Sequence, residues 1–288
     1  MSIQSTIDAA VGTLSPSLAR VANLVRTDPA VVVDNTINEL ADLCETSVAS
    51  IVRFCRAIGF TGYAQLRMAL ASEIGKERAQ FGDGMSFGSD ITDADALPDI
   101  VAKIRSREML AIDETLASLD VDALERAATL LDGASRILLY GVGASQFIAA
   151  DLGHKLLRIG SPAFVLSDPH EAWACAALPQ EGTVAVAFSH RGETAESSRF
   201  VRIAREAGAA TIGLTSVRDS TLGRGVDAVL TTQARETDFR VGAMVSRIAQ
   251  LAVVDCLFMA VAQRQYAHTI EALRVTRAAI ADAEHGRS

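Results

Sequence analysis

From Arg136 onward the sequence repeats one rhythm: a short apolar run, a loop carrying glycine or a hydroxyl residue, then chain compatible with a helix. The runs Ile137–Tyr140, Ala163–Leu166, Thr183–Phe188, Ala210–Leu214 and Ala228–Thr231 are expected to be strands, with helices between them and a long final helix from about Val241. Alternation of this kind predicts a parallel sheet covered by helices on both faces. In such a sheet, ligands bind outside the carboxyl ends of the strands, where the winding direction reverses.

Two of the predicted loops carry the chemistry for an anion. After the first strand comes Gly141-Val142-Gly143-Ala144-Ser145-Gln146. Gly141 and Gly143 leave room for close backbone approach, Ser145 offers a hydroxyl, and a helix starting near Gln146 directs its N–H groups and positive dipole end at whatever sits there. A glycine turn at this place also has a purely steric reading, so the loop alone decides little. After the third strand comes Ser189-His190-Arg191-Gly192-Glu193-Thr194, with Thr194 placed to cap the following helix. Two such loops together favour a small anion site.

The first 80 residues differ in kind: they read as helix after helix, with Val31-Val32-Val33 the main β-rich run. Thr36-Ile37-Asn38-Glu39 has the capping-box form and opens a short helix to Leu43. Cys44-Glu45-Thr46 forms the turn. Ser47 then caps a helix from Val48 to Ile58, with Gly59 ending it. Two short helices joined this way predict a helix-turn-helix, whose second helix enters the major groove of DNA. Val48, Ile51, Val52 and Cys55 are expected to face inward, leaving Ser47, Ala49, Ser50 and Arg53 outward as base or near-base contacts. Arg56 is a further candidate for a phosphate or a guanine, and the Tyr63 hydroxyl for the DNA backbone. Val48 to Leu70 holds Arg53, Arg56 and Arg67 and no acid, so the positive face is local and a useful binder calls for a dimer.

Both motif sets resemble known families. Gly141-x-Gly143-x-Ser145 with Ser189-x-x-Gly192-x-Thr194 is similar to the sugar isomerase (SIS) domain, whose usual second loop is Ser-x-Ser-Gly-x-Thr. Arg191 stands here in place of the second serine, either as a charged phosphate fork or turned outward. Glu39-Leu40-Ala41, Ser47 to Cys55 and Gly59-Phe60-Thr61-Gly62-Tyr63 resemble the amino-terminal domain of RpiR-type transcriptional regulators, which join it to a carboxyl-terminal SIS domain in this order. The resemblance implies an all-α helix-turn-helix domain at 1–80, a linker at 81–96 that contains the glycine-rich Phe81–Asp90 stretch, and an α/β effector domain at 97–288. That domain would have a five-stranded parallel sheet in flavodoxin-like order. The resemblance further implies that Ser145, Ser189 and Thr194, with Gly143 and Gly192 of the same loops, hold the phosphate of a sugar. His190, Arg191 and, by rough location, Glu236 are secondary candidates. The residues Thr215 and Ser216 either complete the sugar site or cap the next helix, and Trp173 is expected in the core beside His170.

Composition sets bounds on these readings. The net charge of −8 argues against a chain that coats nucleic acid along its whole surface. The cysteines, Cys44, Cys55, Cys175 and Cys256, form no C-x-x-C pair, and the five histidines share no metal-ligand spacing with them, so neither a metal nor a cofactor is expected. Reduced thiols, no leader-like amino terminus and no uninterrupted apolar span predict a cytoplasmic protein without membrane contact. The leading reading is a non-enzymatic regulator of carbohydrate metabolism, a homodimer or homotetramer, with operator DNA and a phosphorylated sugar, in one version an amino-sugar phosphate, as partners. A phosphosugar isomerase or amino-sugar phosphate lyase uses the same loops but leaves the amino-terminal helices idle. A dinucleotide-dependent dehydrogenase fares worst, because Gln146 stands where its third glycine belongs.

Overall fold

The computed structural model describes residues 3–11, 14–81, 91, 93–234 and 243–285. They fall into two compact units, one ending at Glu114 and the other running from Thr115. The stretch expected to be a linker lies largely outside the described residues.

The first unit holds α1 (Ile3–Ala10), α2 (Pro16–Thr27), α3 (Ala30–Asp34), α4 (Ile37–Leu43), α5 (Val48–Ala57) and α6 (Tyr63–Phe81), and α7 (Leu97–Ala117) begins in it. Its core is one cluster of Val21, Ala22 and Val25 from α2, Val32 from α3, Leu40 from α4, Ile51, Phe54 and Cys55 from α5, and Leu66 and Leu70 from α6. The expected capping box is formed: the Thr36 hydroxyl accepts from the Glu39 N–H, and the Glu39 carboxylate accepts from the Thr36 N–H at 2.7 Å. Two N-terminal donors of α4 are thereby satisfied.

The second unit contains α8 (Val121–Asp132), β1 (Arg136–Gly141), α9 (Ala144–Arg158), β2 (Ala163–Leu166), α10 (Pro169–Ala177), β3 (Thr183–Phe188), α11 (Ala195–Glu206), β4 (Ala210–Thr215), α12 (Thr221–Arg224), β5 (Ala228–Thr231), α13 (Met244–Arg264) and α14 (Tyr266–His285). All strand pairs are parallel, in the order β2-β1-β3-β4-β5. This is the expected flavodoxin-like order, with the winding reversing between β1 and β3. Alternate residues of the central strands feed two cores. Ile137, Leu139, Val184, Val186 and Ile212 pack with α8, α9 and α13, while Leu138, Tyr140, Ala185 and Ala187 pack with α10 and α11. Every residue of β3 is buried, as a strand covered on both faces requires. Helix α13 is long and apolar enough to cross a membrane. Its Val253, Val254, Leu257 and Val261 are instead buried in the core beside α8 and α9, as the interrupted pattern predicted.

Candidate functional site

The first unit presents a two-helix element with closed ends. Helix α4 ends at Cys44, after which Glu45 takes a positive φ of 47°. The Glu45 N–H donates to Asp42 and the Thr46 N–H to Ala41, at 3.0 and 2.9 Å, so the left-handed turn satisfies two terminal carbonyls. From α2, Arg20 braces the turn: its Nε donates to the Cys44 carbonyl at 3.1 Å and its Nη2 to the Glu45 carbonyl at 2.9 Å. This brace was invisible in the sequence, because 24 residues separate the partners and no local pattern pairs them. Helix α5 starts at Ser47, whose hydroxyl accepts from the Ser50 N–H, and ends with Gly59 at φ 88°.

The face of α5 differs from the expected one by part of a turn. Ile51, Phe54, Cys55 and Ile58 face the core, Val52 is half-buried and Val48 is 38% exposed. Ser50, expected outward, is only 3% exposed. The bulky Phe54 accounts for this rotation: with Ile51, Cys55 and Ile58 it completes an i, i+3, i+4, i+7 stripe of larger side chains than the one starting at Val48. That stripe was legible in the sequence. Ser47, Ala49, Arg53 and Arg56 are exposed. Tyr63 also departs from expectation: its hydroxyl lies 2.9 Å from the Val32 carbonyl and 2.8 Å from that of Asn35. A phenol has one proton, and here it serves α3 and its C-cap rather than a DNA phosphate. Burial pushes the Tyr63 pKa up, keeping that proton in place. Arg67 is likewise turned to the protein, donating to the Val33 carbonyl at 2.9 and 2.7 Å.

The helices that follow β1 to β4 differ in how they begin. Helices α10 and α12, after β2 and β4, are closed by Asp168 and Ser220 side chains. Helices α9 and α11, after β1 and β3, have no side-chain cap. These two open N-termini follow the two strands between which the sheet reverses. Thr194 stands at the cap position of α11, but its hydroxyl is 2.9 Å from the Ser189 hydroxyl, so the expected cap is not made. The first-turn N–H groups of α11 are left without a side-chain acceptor, a state suited to an anion. Ahead of α9, Gly143 takes φ 60° and ψ −125°. A β-carbon there would meet nothing within 4 Å, so the space over the loop is open. Ser145 lies in the first turn of α9, nearly buried at 9% exposure. At Gly141 a β-carbon would sit 2.6 Å from the Ser145 carbonyl oxygen, so the glycine brings β1 and α9 together.

The loop after β3 is fastened from below. The His190 carbonyl accepts from the Ser216 N–H at 2.6 Å, the Ser216 hydroxyl at 2.7 Å and the Thr215 hydroxyl at 3.0 Å. Thr215 and Ser216 therefore hold the loop, and the capping of α12 falls to Ser220. Glu193 accepts from the Thr221 N–H and hydroxyl at 2.9 and 2.6 Å, which holds its carboxyl below the usual range. Gly192, expected among the ligand contacts, is committed to packing. Its N–H donates to Ser189, its carbonyl accepts from Leu222, and a β-carbon would fall 1.9 Å from the Ser220 hydroxyl. His190 is buried and Arg191 exposed. Glu236 lies outside the described residues. Trp173 is half-buried rather than in the core, with the Arg199 guanidinium 4.1 Å over its ring and His170 edge-on at 5.3 Å. No group of three or more His, Cys, Asp or Glu residues able to hold a metal occurs among the described residues.

With this geometry in view, comparison with known proteins is specific. The helix-turn-helix domain of the rpiR family matches residues 1–77, and the SIS domain matches residues 130–260. An HTH-type transcriptional regulator of Caldanaerobacter subterraneus is 38% identical over 262 residues, 91% of each chain. The chain belongs to the RpiR family of HTH-type transcriptional regulators. Among solved structures, the Vibrio vulnificus NanR protein complexed with ManNAc-6P is similar over 97% of this chain and 98% of that one, with a TM-score of 0.61 and 25% identity. The sugar isomerase domain of an RpiR transcription factor from Sphaerobacter thermophilus shares the fold, with a TM-score of 0.55 and 22% identity over 63% of this chain and 98% of its own. In RpiR terms, the two-helix element lies within the helix-turn-helix domain and the paired open loops within the SIS domain.

Proposed function

We propose that this RpiR-family regulator binds operator DNA through α5 and that a phosphorylated sugar bound over the β1 and β3 loops changes that binding. The observation that carries the reading is the pair of uncapped helix N-termini, α9 and α11, at the reversal point of the sheet. The phosphate is held by Ser145, Ser189 and Thr194, with Gly143 giving it room and His190 and Arg191 lining the same loop. Glu236 remains a candidate for the sugar itself. Ser47, Ala49, Arg53 and Arg56 face the DNA. An amino-sugar phosphate is the favoured effector class, supported by the ligand named for the Vibrio relative.

In this reading residues 1–80 form the DNA-binding domain, 81–96 the linker and 97–288 the effector domain. The protein acts in the cytoplasm, without catalysis, as a homodimer or homotetramer that matches a two-fold operator. The sugar must bind one DNA-competence state better than the other, and a coupling of about 1–3 kcal/mol changes operator affinity by about 5- to 150-fold. A gel-shift titration on DNA flanking its own gene, at fixed salt, with and without a panel of sugar phosphates, tests this. One sugar phosphate should alter a sequence-specific shift. Turnover of a panel member, with no specific shift on any duplex, would replace this reading with an isomerase or lyase.

A further inference from the structure

Ser50 is a buried serine on α5, the helix proposed to read DNA, and its hydroxyl is hydrogen-bonded to two exposed neighbours. The Arg53 Nη2 donates to Ser50 Oγ at 3.0 Å, Ser50 Oγ lies 3.1 Å from Ser47 Oγ, and the Ser50 N–H donates to Ser47 Oγ at 3.2 Å. Either serine could donate in the hydroxyl pair. Burial decides between them. If Ser47 donated, Ser50 Oγ would accept twice, and its own proton would sit inside the protein without an acceptor, at a cost of about 1–3 kcal/mol. With Ser50 donating, the buried group's single proton is placed: it accepts from Arg53 and gives its proton to Ser47.

The consequence falls on Ser47. A hydroxyl has one proton and two acceptor positions. Ser47 Oγ then accepts from both the Ser50 N–H and the Ser50 hydroxyl, which leaves only its own proton to turn outward. Ser47 is exposed at the first turn of α5, and Arg53, also exposed, can only donate.

We propose that Ser50 is a positioning residue that fixes Ser47 as a hydrogen-bond donor and orients Arg53, so that the start of α5 recognises acceptor groups on DNA. These are phosphate oxygens, purine N7, guanine O6 or thymine O4, as opposed to the amino groups of adenine and cytosine. The proposal rests on the reading of α5 as the DNA-contacting helix.

The test compares the full-length wild type with Ser50→Ala, a substitution compatible with a buried helical site. A duplex is first selected from random-sequence DNA by the wild-type protein. Binding is then measured on versions in which single purines are replaced by 7-deazapurines and single phosphates by methylphosphonates. The wild type should lose affinity at one or more acceptor positions per half-site. Ser50→Ala should bind the unmodified duplex about tenfold more weakly and lose sensitivity at one of those positions, with its thermal midpoint near that of the wild type. In DNA-free protein, the Arg53 guanidinium N–H signals should be resolved and slowly exchanging, and Ser50→Ala should abolish this. A variant matching the wild type in affinity and in its acceptor profile overturns the relay. Failure of the wild type to select any duplex instead overturns the DNA reading, and the Arg53 signals report on the relay separately.

Discussion

At the residue scale, two side-chain facts carry direct consequences. Gly192 has φ 71°, and the place of a β-carbon is already filled by the Ser220 and Thr215 hydroxyls. Gly192→Ala must therefore push apart the loops after β3 and β4, and thermal denaturation should show a loss of about 1–3 kcal/mol. A midpoint equal to that of the wild type would mean the loops yield without cost. Glu39 is held below its ordinary pKa of 4.5, first by the Thr36 N–H and then by the Thr36 hydroxyl. A depressed carboxyl stabilises the fold above its unfolded pKa, and that contribution is lost as pH falls through the folded value. Unfolding of the amino-terminal unit, followed by helicity at acid pH, should thus be less pH-dependent below about 4.5 in Glu39→Gln than in the wild type. Parallel acid limbs in the two proteins would show that the cap does not contribute.

At the element scale, the turn between α4 and α5 depends on a third helix. A non-glycine residue in the left-handed region costs about 1–2 kcal/mol, and Glu45 is such a residue. The two Arg20 bonds to the turn carbonyls offset that cost and set where α5 begins. Arg20→Ala is expected to destabilise the first unit by about 1 kcal/mol and to weaken operator binding without touching DNA itself. Chemical denaturation and gel shift on the same sample check both, and weakened binding at unchanged stability would place Arg20 on the DNA instead. The elements themselves were largely legible. All five strands follow from apolar runs bounded by turn residues, and α4 and α5 from hydroxyl caps and a terminal glycine. The rotation of α5 differs from the expected one because Phe54 belongs to the buried stripe. The position of Tyr63 could not be read, since its acceptors lie about 30 residues away in sequence.

At the scale of the whole molecule, the proposed function assigns the two units separable tasks. Arg53→Ala should reduce operator affinity severalfold while leaving sugar-phosphate binding intact. Ser189→Ala should keep operator binding and lose the sugar response. Gel shift with and without the effector, paired with calorimetric titration of the effector, separates these outcomes. Loss of both functions in either variant would point to misfolding, and a retained sugar response in Ser189→Ala would move the effector site away from the β3 loop.

The sequence by itself determined the class of each unit, the order of the strands along the chain and the two loops proposed to take an anion. Those features depend on near neighbours: periodicity of apolar residues, hydroxyls at helix starts, and glycine where the chain must turn. Only the tertiary structure decided how those residues are spent. Thr194 bonds Ser189 in place of capping α11, Gly192 yields its space to Ser220, and Ser50 turns inward to meet Ser47 and Arg53. A hydroxyl or a glycine has several possible partners at similar cost, and the choice among them is made by whatever the rest of the fold brings within about 3 Å.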